Sequence, residues 1–304
     1  MPDSAEPLVA VLPVAGLSTR FAPATKVVPK SLLPVVDKPV LEHVVGEAVD
    51  AGATRVVLVT GDGQEALVQH FRPAPVLEAA LSSKGDTARL AAVRRSTEMA
   101  DVTSVRQPEA RGLGHAVLMA ADEVGEQPFL VLLGDEFMDP ADPLLSRMRD
   151  VQREQGGVVL ALLRVPLTEI SRYGSVAVEQ TGTDGVVRVT AMVEKPPADE
   201  APSDLAIIGR YVLPPEIFAE LSRTGSGAGG EIQLTDAMAG LLAAGTPVHG
   251  VVVTGTRYDT GDRLGYLQTV IELAAAHPET GPQLRPWLQA MVAGLETPEL
   301  EGSQ

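Results

Sequence analysis

Three short runs of this chain are apolar without alternation: LVAVLPV (residues 8–14), TRVVLVTGDG (54–63) and PFLVLLGDEF (128–137). A strand with one wet face alternates polar and apolar side chains. A strand apolar at nearly every position has to be covered on both faces. Between these runs lie stretches with helical spacing and glycine stops, at 40–52 and 114–125, and a shorter strand is expected at 103–107. The pattern predicts an α/β fold, a Rossmann-like doubly wound sheet that is mixed but mainly parallel. Ligands of such sheets bind beyond the carboxyl ends of the strands.

The second half has another texture. GGVVLALLRV, GSVAVEQ, GVVRVTAMVEK and LAIIGRYVLP follow one another with little helix between them, and PVHGVVV is a late strand. They predict an antiparallel extension of the sheet, or a β-rich subregion that holds a second substrate. Helices are expected at 229–245, 261–277 and 281–295. SRTGSGAGG (222–230) reads as a surface loop, and residues 296–304 as a polar tail.

Composition narrows the functions open to such a sheet. Of 304 residues 45% are hydrophobic but only 3% aromatic, so the core is aliphatic. The net charge of −16 repels nucleic acid and anionic membranes, and neither is expected as a partner. The absence of cysteine excludes disulfides, thiol catalysis and cysteine-held metals. MPDSAEPLVAVL lacks the basic start and long apolar stretch of a secretory signal, and no run of about 18 apolar residues exists. A cytoplasmic, soluble protein is expected.

Against that acidic background AGLSTRFAPATKVVPK (15–30) is basic. It opens where the first strand ends and carries Arg20, Lys26 and Lys30. Backbone N–H groups in a small-residue turn make an anion nest, and Lys and Arg add full charge. The loop is neither G-x-x-x-x-G-K-[ST] nor G-x-G-x-x-G, which disfavours a dinucleotide-dependent oxidoreductase. Two spaced lysines suit an extended polyanion such as a nucleoside triphosphate. From spacing alone, solvated surface charges fit as well.

The same loop, continued as SLLPVVDKP, resembles the signature of the sugar-1-phosphate nucleotidyltransferases and, within them, of the bacterial UTP–glucose-1-phosphate uridylyltransferases. VRQPEARGLGHAV, FLVLLGDE, YGSVAVE, MVEKP, APSDLAIIGRYVL, GAGGEIQLTDA and RYDTGDRLGYL follow in the family's order, over roughly residues 8–270. The resemblance implies the nucleotide-diphospho-sugar transferase fold in one domain, 1–295. A nucleotide-binding half spans about 8–155, a β-rich sugar-binding half about 156–260, and C-terminal helices about 261–295. It implies transfer of UMP from UTP to glucose 1-phosphate with Mg²⁺ as cofactor, in a homodimer or homotetramer.

It also implies roles. Arg20 grips the leaving pyrophosphate, Lys30 holds the phosphates in line with help from Lys26, and Lys195 neutralises the sugar phosphate. Ala15 and Gly16 pass close to the nucleoside. Gln107 and Gly112 read the base, where a glutamine amide can donate to and accept from a uracil edge. Gly174, Glu194 and Lys195 meet the sugar. Asp135 and Asp262 flank the metal, with Glu136 a weaker ligand candidate. Ordinary readings stand beside these: Asp135 as a turn aspartate, Asp262 as a helix N-cap, Glu194 as a strand-edge carboxylate, Lys195 as a solvated strand end. His115 is assigned a structural place at a helix start. Leu284, Trp287, Leu288 and Met291 share a helix face that suits an oligomer contact or the core equally.

Two single positions depart from the family pattern, and GDEF stands in place of the commoner DD pairing, which leaves Asp135 as the principal acid. Ser18 stands where the loop commonly has glycine, and is strained if that position needs φ > 0. Ser31 stands where glutamate is usual. It is expected to face the nucleotide pocket and to relax the choice between UTP and dTTP. The same chemistry with dTTP or another hexose 1-phosphate, and a catalytically weak regulatory paralogue, are the alternatives.

Overall fold

The computed structural model describes residues 8–295; the 296–304 tail and the start of the chain lie outside them. The described residues form thirteen strands. In chain order these are β1 (Leu8–Pro13), β2 (Pro34–Val35), β3 (Lys38–Pro39), β4 (Ala53–Thr60), β5 (Asp101–Arg106), β6 (Phe129–Leu132) and β7 (Glu136–Met138). β8 (Val158–Arg164), β9 (Gly174–Gln180), β10 (Val186–Glu194), β11 (Leu205–Leu213), β12 (Val248–Val252) and β13 (Arg257–Asp259) complete the set. Nine make one sheet in the order β5-β4-β1-β6-β11-β8-β12-β10-β9.

The all-apolar runs occupy the parallel part, as their pattern requires. β1 lies between two parallel partners, with Ala10 opposite Val56 of β4 and Leu130 of β6. Successive β1 side chains enter opposite cores. Ala10 and Leu12 join Leu41, Val44, Leu58, Phe137 and Met148 on one face. Val9 and Val11 join Val57, Val117, Phe129, Leu160 and Ile217 on the other. Both faces are dry, so alternation disappears. From β6 onward the sheet turns mostly antiparallel: β11 runs against β6, β8 and β9, and β10 against β12 and β9. Only β8 and β12 are parallel there.

Three expectations are corrected. The run at 128–137 is two strands, because the chain leaves the sheet at Leu133–Asp135 and β7 pairs with β13 in a separate ribbon. Gly134 passes so near the Val14 side chain that a Cβ there would collide with it. The helix expected at 114–125 is two short helices, Leu113–Leu118 and Ala121–Val124. The stripe on the helix Gly281–Leu295 divides: Leu284 and Leu288 are half-buried, whereas Trp287 and Met291 are exposed. The helices Pro75–Ser83 and Thr87–Glu98 were not legible, since they lie on the surface and carry little amphipathic contrast.

Candidate active site

The basic loop leaves β1 as three consecutive 3₁₀ turns, Thr19–Phe21, Ala24–Lys26 and Lys30–Leu32. One side chain pins it down. Phe21 is buried edge-on against Tyr266, 5.8 Å between ring centres, and Tyr266 donates its hydroxyl to the Pro34 carbonyl at 2.8 Å. Ser18 adopts the left-handed conformation, φ 54° and ψ 38°. The strain anticipated for a non-glycine residue there is therefore present, about 1–2 kcal/mol. Thr25 Oγ1 donates to the Ser18 carbonyl at 2.9 Å and helps hold it. Arg20 and Lys26 are exposed and make no ion pair among the described residues. Lys30 pairs with Asp135 across the strand ends.

Beyond the carboxyl ends of β6 and β10 lies a cavity of about 410 Å³. Its wall includes Arg20, Asp135, Gly174, Glu194, Lys195 and Asp262, six of the residues singled out from sequence. Lys30 joins through Asp135. Glu194 ends β10 opposite Gly174 of β9. Its carboxylate accepts from Thr235 Oγ1 at 2.7 Å and lies 3.1 Å from the Lys195 ammonium. A Cβ on Gly174 would stand 3.0 Å from Ile207 Cδ1 and 3.2 Å from Glu194 Oε2, so glycine keeps that wall open. Lys195 has φ 46°. Its backbone N–H donates to the Tyr173 carbonyl at 3.0 Å, fixing a strained turn that presents the ammonium to the cavity.

The acids divide differently from expectation. Asp262 caps the helix Arg263–Ala276: its carboxylate accepts from Gly265 N at 3.0 Å. That hydrogen bond, with Arg172 and Arg20 nearby, holds its pKa below the ordinary carboxylate value. Asp259, not singled out from sequence, ends β13 much as Asp135 follows β6. The place of a Gly261 Cβ lies 2.9 Å from Asp259 Oδ1 and 3.3 Å from Asp135 Oδ2, so the two carboxylates crowd one point. Thr260 fastens the segments together, donating N–H at 2.9 Å and Oγ1 at 2.7 Å to the Asp135 carbonyl. In YDTGD the signal was available: the first aspartate ends a strand, and the second precedes a helix.

Glu136 is not available as a ligand. It is 3% exposed, and its carboxylate takes Gly209 N at 2.7 Å, Arg210 Nη1 at 3.2 Å and Arg257 Nε at 2.6 Å. Arg210, wholly buried, donates five hydrogen bonds to Glu47, Glu136 and Leu133. Burial opposes its charge, but Glu47 and Glu136 outweigh that and raise its pKa. Arg257 lines the cavity with Arg172, and both guanidinium groups lie 5.8 Å from the Tyr173 ring centre.

Ala15, Gly16, Gln107 and Gly112, also singled out from sequence, stand outside the lining of that cavity. Gln107 N donates to the Thr60 carbonyl at 2.8 Å, which sets Gln107 at the strand ends. Ala15 O lies 3.3 Å from the place of a Gly61 Cβ, beside the same ends. A Cβ on Gly16 would meet open space, so no protein atom demands glycine there. Gly112 is the opposite case. With φ 99°, its Cβ would lie 2.7 Å from Glu231 Cβ and 2.8 Å from the Ile232 carbonyl. Packing against the 231–232 segment, rather than room for a ring, makes that position glycine. Ser31 is 4% exposed, its hydroxyl 3.5 Å from the place of a Gly134 Cβ; it lies beneath the Gly134–Asp135 turn, and the cavity wall is built without it.

Residues 9–275 match the nucleotidyl transferase family. The chain is 42% identical over 283 residues to the UTP–glucose-1-phosphate uridylyltransferase of Bacillus subtilis, covering 93% of this chain and 96% of that protein. It is 43% identical to the enzyme of the same name from Streptococcus pneumoniae, covering 92% and 94%. Among solved structures, a UTP-bound UGPase of Acinetobacter baumannii superposes with a TM-score of 0.85 at 39% identity, over 93% of this chain and 99% of that one. A UDP-glucose pyrophosphorylase complexed with UDP-glucose gives 0.80 at 36%, over 89% and 100%.

Proposed function

The chain belongs to the nucleotidyl transferase family, and from that premise we infer that it transfers UMP from UTP to α-D-glucose 1-phosphate, releasing pyrophosphate and forming UDP-glucose. The observation that carries the reading is one cavity whose wall gathers Arg20, Asp135, Glu194 and Lys195 from three separate segments. In this reading the sugar phosphate oxygen attacks the α-phosphorus of UTP, and the bond to the pyrophosphate oxygen breaks. Two like unit charges about 4 Å apart repel by ~4 kcal/mol at an effective dielectric of ~20. Chemistry of this kind needs charge neutralisation and alignment more than acid–base groups. Lys195 offsets the charge of the sugar phosphate. Lys30 shifts from Asp135 to the nucleotide phosphates. Arg20 and Lys26, with no partner to give up, take the leaving pyrophosphate.

Mg²⁺ fits the donor set. Among the described residues no three His, Cys, Asp or Glu side chains converge to hold an ion unaided. Mg²⁺ is commonly held by one or two carboxylates together with substrate phosphates. Asp135 and Asp259 are such a pair, the ion taking the place of Lys30 at Asp135 and of Arg257 Nη2, 3.0 Å away, at Asp259, while Asp262 serves the helix. Bound there, the ion would supply Lewis-acid charge that offsets the phosphates and favours attack at the reacting phosphorus. Gln107 faces the uracil, and Glu194 accepts from sugar hydroxyls. Association through the terminal helices belongs to the same reading. Leu264, Leu267 and Ile271 on one helix, and Trp287, Met291 and Val292 on the other, are exposed apolar side chains, and light scattering tests for a dimer or tetramer. No helix among the described residues is long and apolar enough to cross a membrane.

The deciding experiment is pyrophosphate release with Mg²⁺ and glucose 1-phosphate, run in parallel with UTP, dTTP, CTP, ATP and GTP. Release chiefly with UTP is expected. Equal release with dTTP, abolished in Ser31→Glu, would assign the relaxed choice to Ser31 acting through the Gly134 turn. No release with any nucleotide would overturn the reading.

A further inference from the structure

A glutamine amide is ambiguous, because either end can turn toward a ligand. In this chain the ambiguity is removed. Gln107 is 8% exposed, and its Nε2 donates to the Gly112 carbonyl at 3.2 Å. A carbonyl oxygen only accepts, so the nitrogen end is fixed on that side. The second N–H points to Nδ1 of His115 at 3.1 Å. His115 is itself 6% exposed, and its ring is carried by the first turn of the helix Leu113–Leu118. Nδ1 must therefore present its lone pair, and the ring proton resides on Nε2. Both N–H bonds of Gln107 are thus spent on the protein. Its Oε1 has no hydrogen-bond partner among the described residues.

A glutamine held in this way offers a nucleobase an acceptor and nothing else. An acceptor matches the N3–H of uracil or thymine. The N3 of cytosine is a bare lone pair and would meet Oε1 acceptor to acceptor. We propose that His115 is a positioning residue that locks the Gln107 amide and so selects pyrimidines bearing N3–H over cytosine. The proposal rests on the reading that Gln107 faces the base. His115 does not touch substrate; it acts through the amide it holds. The Gly112 carbonyl is the second half of the lock, and the close packing of Gly112 against Glu231 and Ile232 keeps that carbonyl in place.

The test compares UTP with CTP in the full chain. The ratio of their kcat/KM values is measured with glucose 1-phosphate and Mg²⁺, and the ratio of their Kd values by titration calorimetry, which needs no turnover. His115→Leu keeps the bulk and loses the acceptor. It is expected to lower the UTP/CTP ratio about tenfold or more, the size of a lost buried hydrogen bond, with the loss falling on KM for UTP rather than on kcat. His115→Asn, whose side-chain oxygen replaces Nδ1, is expected to restore the ratio to within about threefold of the parent. His115→Gln extends one bond too far and should behave like the leucine variant, which keeps the test open if leucine does not fold. An unchanged ratio in His115→Leu, an equal loss for both nucleotides, or no rescue by asparagine overturns the proposal. Gln107→Leu separates the two levels. If it collapses the ratio while His115→Leu does not, base reading by Gln107 stands and the lock fails. If it too leaves the ratio unchanged, the underlying assignment fails and the lock with it.

Discussion

Replacing Arg210 with methionine is the sharpest test of what holds the floor of the cavity. A guanidinium has five N–H bonds, and all five are used. Nε and Nη2 reach Glu47 at 3.0 and 2.6 Å, Nη1 reaches Glu136 Oε1 at 3.2 Å and the Leu133 carbonyl at 3.3 Å, and Nη2 reaches the Glu136 carbonyl at 2.7 Å. Methionine fills similar space and supplies none of these. Glu136 keeps Arg257 and Gly209 N. Glu47, with a side chain only 13% exposed, keeps a single 3.2 Å hydrogen bond from Met138 N. The main consequence is one nearly uncompensated buried carboxylate, worth about 3–5 kcal/mol of stability. In a chain of 304 residues that lowers Tm by roughly 5–8 °C. Guanidinium chloride unfolding should show an earlier midpoint at unchanged slope. Adding Glu47→Gln removes the stranded charge and should recover about 1–3 kcal/mol. A loss below about 1 kcal/mol, or a double variant weaker than the single, would refute the reasoning.

Asp259→Asn should lower kcat by about 100-fold or more, whereas Asp262→Ala should lose less than tenfold in kcat and about 1 kcal/mol of stability through its cap; steady-state kinetics beside thermal melts decide, and the reverse ranking returns the metal to Asp262. Because the hydrogen bond from Gly265 N depresses the Asp262 pKa, its contribution is in force above the ordinary carboxylate range and fades as pH falls through the lowered value; the stability gap between parent and Asp262→Ala, followed by melts from neutral to strongly acid pH, should close on the acid side. Lys195→Ala should lower kcat/KM for glucose 1-phosphate by about 10²–10³-fold with little change in melting temperature, since its side chain is half exposed. Gly112→Ala should cost about 2–4 kcal/mol, from positive φ and overpacking together, seen as an earlier denaturant midpoint.

The parallel half of the fold was legible because burial on both faces writes itself as an unbroken apolar run. Val56–Val59 could hardly be anything else, and β1 announced both the sheet and the loop that follows it. The surface helices Pro75–Ser83 and Thr87–Glu98 were not legible, because they hide too little to leave a pattern. The fate of Ser18 was written conditionally, as a cost if φ were positive, and the conformation supplied the condition. The acids show the limit from the other side. Asp262 was the more conspicuous of two aspartates three residues apart, yet which one faces Asp135 depends on β13 pairing with β7, a contact across more than a hundred residues. Glu136 failed as a ligand for a similar reason. Its two arginine partners, Arg210 and Arg257, lie on strands that nothing near residue 136 foretells.

The strand order also bears on how the chain is made. β11 sits between β6 and β8, and all nine of its residues are buried. A ribosome therefore releases β6, four apolar residues destined for complete burial, long before the strand that covers its open edge. Roughly eighty residues separate the two, which at ~5–20 residues per second is about 4–16 s of synthesis. For that interval the growing chain carries an unpaired apolar edge of the kind that recruits other strands. Fast synthesis or a chaperone that shields residues 129–132 should raise the yield of folded protein, and a slow stretch of translation between β6 and β11 should lower it.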